Sequence, residues 1–347
     1  MRGRNELISR IVFAACAGLV IVVMAALFIF VGSNAYQTFT VNHISLKDFF
    51  LSAHWLPDNG QVGVLVLIVG TFVTTVLAVL VATPISVGIA LFVTQVAPPW
   101  ARGIMQPVLE LLTGIPSIIY GFLGLLVLVP LVQVVYDYTV GAYATTGFGI
   151  IAAVLVLSVM ILPTITTISI DALASLPNGL REASLALGAT RWQTIRKTLV
   201  PAASSGIFTG VILGTGRAIG ETLAVSYVIG GNVNNFPLKL SNFGPLIQFP
   251  PTSTITVQLL FDFQEASAGT LNYNAIWTLA FVLLIISFLL VVASRWIASR
   301  SALNVRSDSP RSGRSLLDRI SGSSLFSRLY GRPPSEDTAD IAKAGAK

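Results

Sequence analysis

The stretch Leu176-Pro-Asn-Gly-Leu-Arg-Glu-Ala-Ser-Leu-Ala-Leu-Gly-Ala-Thr-Arg-Trp-Gln-Thr-Ile-Arg-Lys-Thr-Leu-Val-Pro201 decides how this chain is read. Asn178 is a residue type that caps helices, and it precedes a helical pattern over Leu180–Leu187. Gly188 follows, where a left-handed residue would end that helix. A second helical segment is expected from about Thr190, carrying Trp192 and Ile195, with Pro201 punctuating what comes next. The expected product is a short amphipathic helix-turn-helix. Such a unit offers an apolar face that a groove on a soluble partner can receive.

Its neighbours place it at a membrane. Of the 347 residues, 54% are hydrophobic and 10% are charged, and the mean hydropathy is +0.80. A soluble domain carries about 25% charged residues. Apolar runs long enough to cross a bilayer fall at about 11–32, 64–94, 104–133, 148–170, 203–230 and 275–298. Pro84 and Pro116 are expected kink sites within them. The run at 11–32 is too long for a signal peptide and is read as a retained anchor.

Basic residues alternate from one side to the other. Arg2, Arg4 and Arg10 precede the first run, Arg102 follows the second, and Arg181, Arg191, Arg196 and Lys197 lie between the fourth and fifth. Ten more of the 21 lie from Arg295 onward, whereas the segments on the opposite side hold only Lys47 and Lys239. Positive residues stay in the cytoplasm. Both termini and the 171–202 connection are therefore expected inside, which requires an even number of spans. The reading is an all-α protein of six transmembrane helices, with a cytoplasmic N-terminus over 1–10, a membrane domain over 11–298 and a basic, mostly disordered cytoplasmic tail over 299–347. Within the tail, Leu316, Leu317, Ile320, Leu325, Phe326 and Leu329 lie among arginines, so a short helix on the inner leaflet is the alternative to plain disorder. The net charge of +6 follows from this topology and calls for no nucleic-acid partner.

The fifth run contains Arg217 and Glu221. A charge at the bilayer centre costs at least about 2.5–3.5 kcal/mol. On a continuous helix, positions i and i+4 share a face, so the pair is expected to face protein or a water-filled cavity. Two readings stand: a salt bridge that fixes packing, or a gate or binding element on a solute path. Glycines 214, 216 and 220 keep the nearby surface open to another backbone or a ligand. Glu110 belongs to the third run, ahead of the Gly114-Ile-Pro-Ser117 break, with structural and functional roles both open. Ser117 and Thr222 can donate to an anion or to helix carbonyls. Cys16 is a single cysteine, and His43 and His54 lie far from the charged pair in sequence, so no metal-ligand spacing occurs.

The 176–201 stretch resembles the EAA loop of ABC importer permeases. That pattern is Glu-Ala-Ala, three residues, Gly, nine residues, then Ile-x-Leu-Pro. Here it runs Glu182-Ala183-Ser184, Gly188, then Thr198-Leu199-Val200-Pro201, with Ser184, Thr198 and Val200 departing from it. The resemblance implies a coupling helix that enters a groove of an ATPase subunit, with Glu182, Ala183, Gly188, Arg191 and Trp192 as coupling residues. It also implies a six-helix, MetI-like permease fold.

Trp55-Leu-Pro57, Gly70-Thr71, Pro84 to Phe92, Glu110 to Gly121 and Gly216 to Val225 are together similar to phosphate-specific permeases of the PstC type. That likeness covers about 50–300. It implies import of inorganic phosphate across a prokaryotic cytoplasmic membrane, with Arg217, Glu221, Glu110, Ser117 and Thr222 along the translocation path. It further implies a second permease of the PstA type, two ATPases of the PstB type and an external phosphate-binding protein of the PstS type. The sequence has no Gly-x4-Gly-Lys-Ser/Thr phosphate loop. The chain is therefore expected to be a transport subunit rather than an enzyme, binding no cofactor itself, with ATP and Mg used by its partners. A permease of the same fold for sulfate or molybdate is the alternative. An ion-driven transporter would have no use for an EAA loop, and no nucleophile–base pair supports a membrane enzyme. The outside segments at 33–63 and 231–274 are rich in turn formers and aromatics; they either cap the bundle or present a surface to an external partner.

Overall fold

The computed structural model describes residues 2–140, 146–236, 239–240, 247–248, 250–267 and 269–307. The chain divides into two compact units, Met1–Ala302 and Leu303–Lys347. The tail around 316–329, expected to be disordered or to form a short helix, lies outside the described residues.

Among the described residues, six helical segments have the length and composition to cross a membrane: Ser9–Thr40, Leu65–Val96, Ser117–Tyr138, Ile150–Ala174, Arg191–Gly220 and Leu271–Trp296. The elements are α1 (Arg2–Thr40), α2 (Leu46–Leu51), a hairpin of β1 (Trp55–Leu56) and β2 (Gln61–Val62), α3 (Leu65–Leu91), α4 (Pro99–Gly114), α5 (Ser117–Leu123) and α6 (Val129–Val140). They continue with α7 (Ile150–Ala174), α8 (Asn178–Ala186), α9 (Arg191–Thr194), α10 (Val200–Gly220) and α11 (Leu223–Ser226). A small pair, β3 (Lys239–Leu240) and β4 (Ile247–Gln248), precedes α12 (Ile255–Glu265) and α13 (Leu271–Ser307). The six spans were legible from hydropathy, but the bounds of the third and the fifth move. The third span begins at Ser117, because Ile115 and Pro116 are extended and end α4. The fifth starts early, at Arg191, and ends early, at Gly220.

The core is centred on α7, which packs on α3 and α10. Ala78, Ala82, Ala152, Ala153, Leu157, Met160 and Ile161 are buried together there. Apolar side chains gain little over lipid in such a setting, so close approach and hydrogen bonds hold the helices. Gly206, Gly210 and Gly214 provide the approach. An added Cβ at Gly214 would stand 2.7 Å from Ile165, and one at Gly206 would collide with Ala172. Ser86 and Ser158 provide the bonds. Ser86 Oγ donates to Leu162 O at 3.1 Å and Ser158 Oγ to Ala78 O at 3.1 Å, each crossing between α3 and α7.

Proline is absorbed inside these spans. Pro84 lies within α3 and Pro163 within α7 without ending either helix. Pro201 sits in the first turn of α10, just after a wide i→i+5 turn at Ile195–Leu199. Because of that wide turn the chain enters the membrane helix from α9 without interruption. Proline lacks the N–H that an α-helix interior needs, and a π-turn changes the bonding pattern around it. A second such turn, Phe92–Val96, ends α3; Arg102 Nε and Nη2 then donate to Ala97 O and Thr94 O. This is a cation satisfying the carbonyls that a helix C-terminus leaves free.

α1 and α13 pack against each other. Thr38 and Thr278 share a 2.6 Å hydrogen bond, Asn274 Nδ2 donates to Asn42 Oδ1 at 2.8 Å, and Phe30 meets Trp277 edge-on.

Candidate functional site

Arg217 and Glu221 do not lie on one helix face. α10 ends at Gly220, and Glu221 is extended, with φ −76° and ψ 124°. The expectation of a continuous helix through the pair is therefore corrected, and no ion pair joins the two among the described residues. The cause is local competition for the backbone. Glu221 Oε1 accepts from Ala224 N at 3.0 Å and so caps the first turn of α11. The carboxylate is spent on N–H groups that the break exposes, as side-chain acceptors are at helix starts. Arg217, one turn earlier and half-buried, donates from Nη1 to Thr164 Oγ1 on α7 at 3.3 Å. Among the described residues no partner is seen for its remaining donors.

The break is held from three sides. Thr256 Oγ1, in the first turn of α12, donates to Glu221 O at 3.0 Å. Gly121 of α5 faces α11 so closely that a Cβ would lie 2.8 Å from Ala224 Cα. Thr222 bends back, its Oγ1 donating to Gly220 O at 3.4 Å, which is the carbonyl-bonding role of the two open to it. Ser117 is half-buried as the first residue of α5, after Pro116. Tyr120 OH donates to Leu112 O at 2.6 Å and ties α5 back to α4 across the 115–116 kink.

Glu110 falls in other company. It is on α4, exposed, and accepts from Gln106 Nε2 at 3.2 Å. It lines a cavity of about 430 Å³ with Arg102, Asp171 and Arg181, which Arg217, Glu221, Ser117 and Thr222 do not line. The structure thus groups Glu110 with the 171–202 loop. The early end of α4 causes this, because it separates Glu110 from the third span.

The loop folds as a helix-turn-helix. α8 begins at Asn178, so Pro177 rather than Asn178 occupies the cap position; no side chain caps this start. Gly188 has φ 82°, the left-handed turn its position predicted. Thr190 and Gln193 form a reciprocal capping box that starts α9. Ser184, the departure from Glu-Ala-Ala, has a clear role: its hydroxyl lies 3.0 Å from Thr194 Oγ1 and accepts from Thr198 Oγ1 at 3.4 Å, clasping the two arms. Glu182, Ala183, Arg191 and Trp192 are all exposed. Trp192 is 65% and Leu187 88% exposed, so the apolar tip has no partner among the described residues.

Sequence reasoning missed α12 entirely. Its signal was present: Thr252-Ser-Thr-Ile-Thr256 sets capping residues just before an apolar run. Thr254 Oγ1 accepts from Val257 N, and Thr71 Oγ1 on α3 accepts from Ile255 N at 2.9 Å. It also missed Thr164, since nothing local links that residue to Arg217.

Against known proteins, residues 85–303 match the family model described as binding-protein-dependent transport system inner membrane component. This chain belongs to that family. The permease is 43% identical over 301 residues to the probable ABC transporter permease protein YqgH of Bacillus subtilis, covering 86% of this chain and 93% of that protein. It is 38% identical over 263 residues to the phosphate transport system permease protein PstC of Xylella fastidiosa, covering 71% and 77% respectively. A solved bacterial alginate ABC transporter, in complex with an alginate pentasaccharide-bound periplasmic protein, shares the fold. There the TM-score is 0.56 at 16% identity, over 86% of this chain and 96% of that one. The permease is thus a multi-pass membrane component of an ABC importer with a MetI-like fold, a class whose members work with ATPase and substrate-binding proteins.

Proposed function

We infer that this permease carries inorganic phosphate inward, as one of two similar permease subunits above two ATPases. The observation that carries the reading is the PstC relatives, among them one 38% identical over most of the chain. In this reading the partners are of the PstA, PstB and PstS types, ATP and Mg are used by the ATPases, and this chain holds no cofactor. The basic 171–202 loop and both termini face the cytoplasm of a prokaryotic cell, in line with the positive-inside pattern.

Arg217 supplies the counter-charge. Its planar fork of donors matches two phosphate oxygens, and among the described residues one of those donors is engaged, by Thr164. The Glu221 carboxylate is held by Ala224 N and leaves the guanidinium available. Gly216 and Gly220 have nothing within 4 Å of where a Cβ would be, so an ion or a facing helix can come close. At the other end, the exposed Leu187–Trp192 tip enters an ATPase groove, with Glu182 and Arg191 on its polar flanks. Glu110 and Arg181 share the adjoining cavity and sense the tip's position. The test is ATP hydrolysis by the reconstituted complex with its binding protein. Stimulation by phosphate, and none by sulfate or molybdate, is expected; stimulation by either of the latter alone reassigns the substrate.

A further inference from the structure

Trp55 is 2% exposed, yet its indole N–H is not spent on a backbone carbonyl nearby. It donates from Nε1 to Asp262 Oδ2 at 2.7 Å, across 207 residues of sequence. Asp262 Oδ1 accepts from Gln258 Nε2 at 2.7 Å, one turn back on α12, and Ser253 Oγ reaches Gln258 Oε1 at 3.4 Å. Trp55 itself sits in the β1–β2 hairpin, opposite Val62. The turn of that hairpin, Pro57 to Gly60, exposes Asp58, Asn59 and Gly60.

Burying a carboxylate and an indole N–H together is costly unless both are paired, and apolar packing alone would join these elements more cheaply. What the polar clasp adds is a fixed register between the hairpin and α12. α12 has 11 residues, about 16 Å of helix. Its far end is fixed just as specifically. Ile255 N donates to Thr71 Oγ1, and Thr256 Oγ1 donates to the carbonyl of Glu221, the residue at which α10 breaks. Residues 252–258, which surround the Ile255 and Thr256 anchors, are buried, so α12 cannot slide without moving both ends.

We propose that Trp55 and Asp262 are positioning residues that lock α12 as a lever between the exposed 57–60 turn and the Glu221 break beside Arg217. A protein seated on the turn displaces the hairpin; the clasp passes that displacement to α12, and Thr256 passes it to the break. The proposal rests on the importer reading, in which the turn faces the external binding protein.

The test uses the assembled transporter in membrane vesicles, with Cys16→Ser and Ser226→Cys placing a single thiol on α11. The first measurement is the rate at which a small methanethiosulfonate labels it. Trp55→Phe keeps the ring and removes the donor; Asp262→Ala removes the acceptor. Each is expected to raise the labelling rate about 5-fold, the factor that matches one lost hydrogen bond of about 1 kcal/mol. Asp262→Asn keeps an acceptor for Trp55 and is expected to label as the parent does. The second measurement is stimulation of ATP hydrolysis by phosphate-loaded binding protein. The two disruptive variants are expected to lower maximal stimulation at unchanged half-saturation. A general structural defect would instead lower basal hydrolysis and assembly and would not be rescued by Asn. Parental labelling rates in both Trp55→Phe and Asp262→Ala overturn the lever. If Trp55→Phe does not assemble, the Ala and Asn variants at 262 decide. A parent that labels as described but is not stimulated by phosphate-loaded binding protein sinks the phosphate reading and leaves the lever standing.

Discussion

The two ends of α10 are built on opposite plans. At its entry, the 178–199 loop is stabilised almost entirely from within: Gly188 supplies the left-handed turn, Thr190 and Gln193 cap each other, and Ser184 bonds Thr194 and Thr198. At its exit, the Gly220–Thr222 break depends on distant elements, with Thr164 on Arg217, Thr256 on the Glu221 carbonyl and Gly121 against Ala224. A self-contained unit can move as a rigid body and pass force to a partner. A break held from three sides responds to whatever moves its holders. The contrast suits a transporter in which one end receives work and the other opens a path.

The largest effect is expected at the exit. Gly121→Val puts a branched side chain where even a Cβ would lie 2.8 Å from backbone. Overpacking of this kind costs about 1–3 kcal/mol or more. The complex should lose most of its thermal stability or fail to assemble, and size-exclusion chromatography of the co-expressed subunits reads this. Wild-type assembly would mean that α5 and α11 are not tightly apposed.

At the entry, Gly188→Ala must hold φ near 82°, a conformation that costs an L-residue about 1–2 kcal/mol. Gly188→Pro cannot adopt it at all. Because the loop is self-contained, both variants should insert and retain the membrane fold while ATPase co-purification drops, most for Pro. Undiminished co-purification and uptake in the Pro variant would remove the docking role.

Glu221→Ala separates capping from charge. It removes the acceptor for Ala224 N and should cost about 1 kcal/mol in thermal stability. Glu221→Gln keeps an acceptor and should recover that loss. If Gln is as destabilised as Ala, the carboxylate charge rather than its hydrogen bond supports the break.

The smallest effect concerns pH. Burial raises the pKa of Asp262, outweighing the hydrogen bonds from Trp55 and Gln258 that lower it, while the neighbouring Glu265 and Asp58 raise it further. A carboxyl raised in the folded state binds more protons there than when unfolded. Its contribution is therefore fully present below the unfolded pKa of about 3.9 and is lost as pH rises through the folded value. Hydrogen exchange of α12 should show protection declining over that window. Asp262→Asn should flatten the decline, and an unchanged profile would mean that Asp262 does not titrate there.

This difference in plan also explains what could be read from the sequence. The loop was legible down to the conformation of Gly188, because its determinants lie within about twenty residues of one another. The six spans were legible because length and hydropathy dictate them. The break was not. Val211 to Ile229 is mostly apolar around its charges, and nothing in that run announces that Glu221 will cap α11 instead of pairing with Arg217. The holders, Thr164 and Thr256, are 53 and 35 positions away from their partners. Glu110 was placed in the third span for a related reason: the apolar run from 104 hides the kink at 115–116, although Pro116 marked it. Asn178 was given a cap that the chain does not use, because Pro177 already sets the extended residue before α8.

In the proposed function Arg217 is the counter-charge for an imported phosphate. The most direct measurement is ATP-dependent uptake of radiolabelled phosphate by proteoliposomes holding the complete transporter and its binding protein, with parent and Arg217→Ala compared at equal, verified assembly. The parent is expected to accumulate phosphate and the Arg217→Ala complex to accumulate none, with Arg217→Lys restoring part, because a point charge lacks the fork. Parental uptake by an assembled Arg217→Ala complex would remove the counter-charge role and leave Arg217 as a packing residue bound to Thr164.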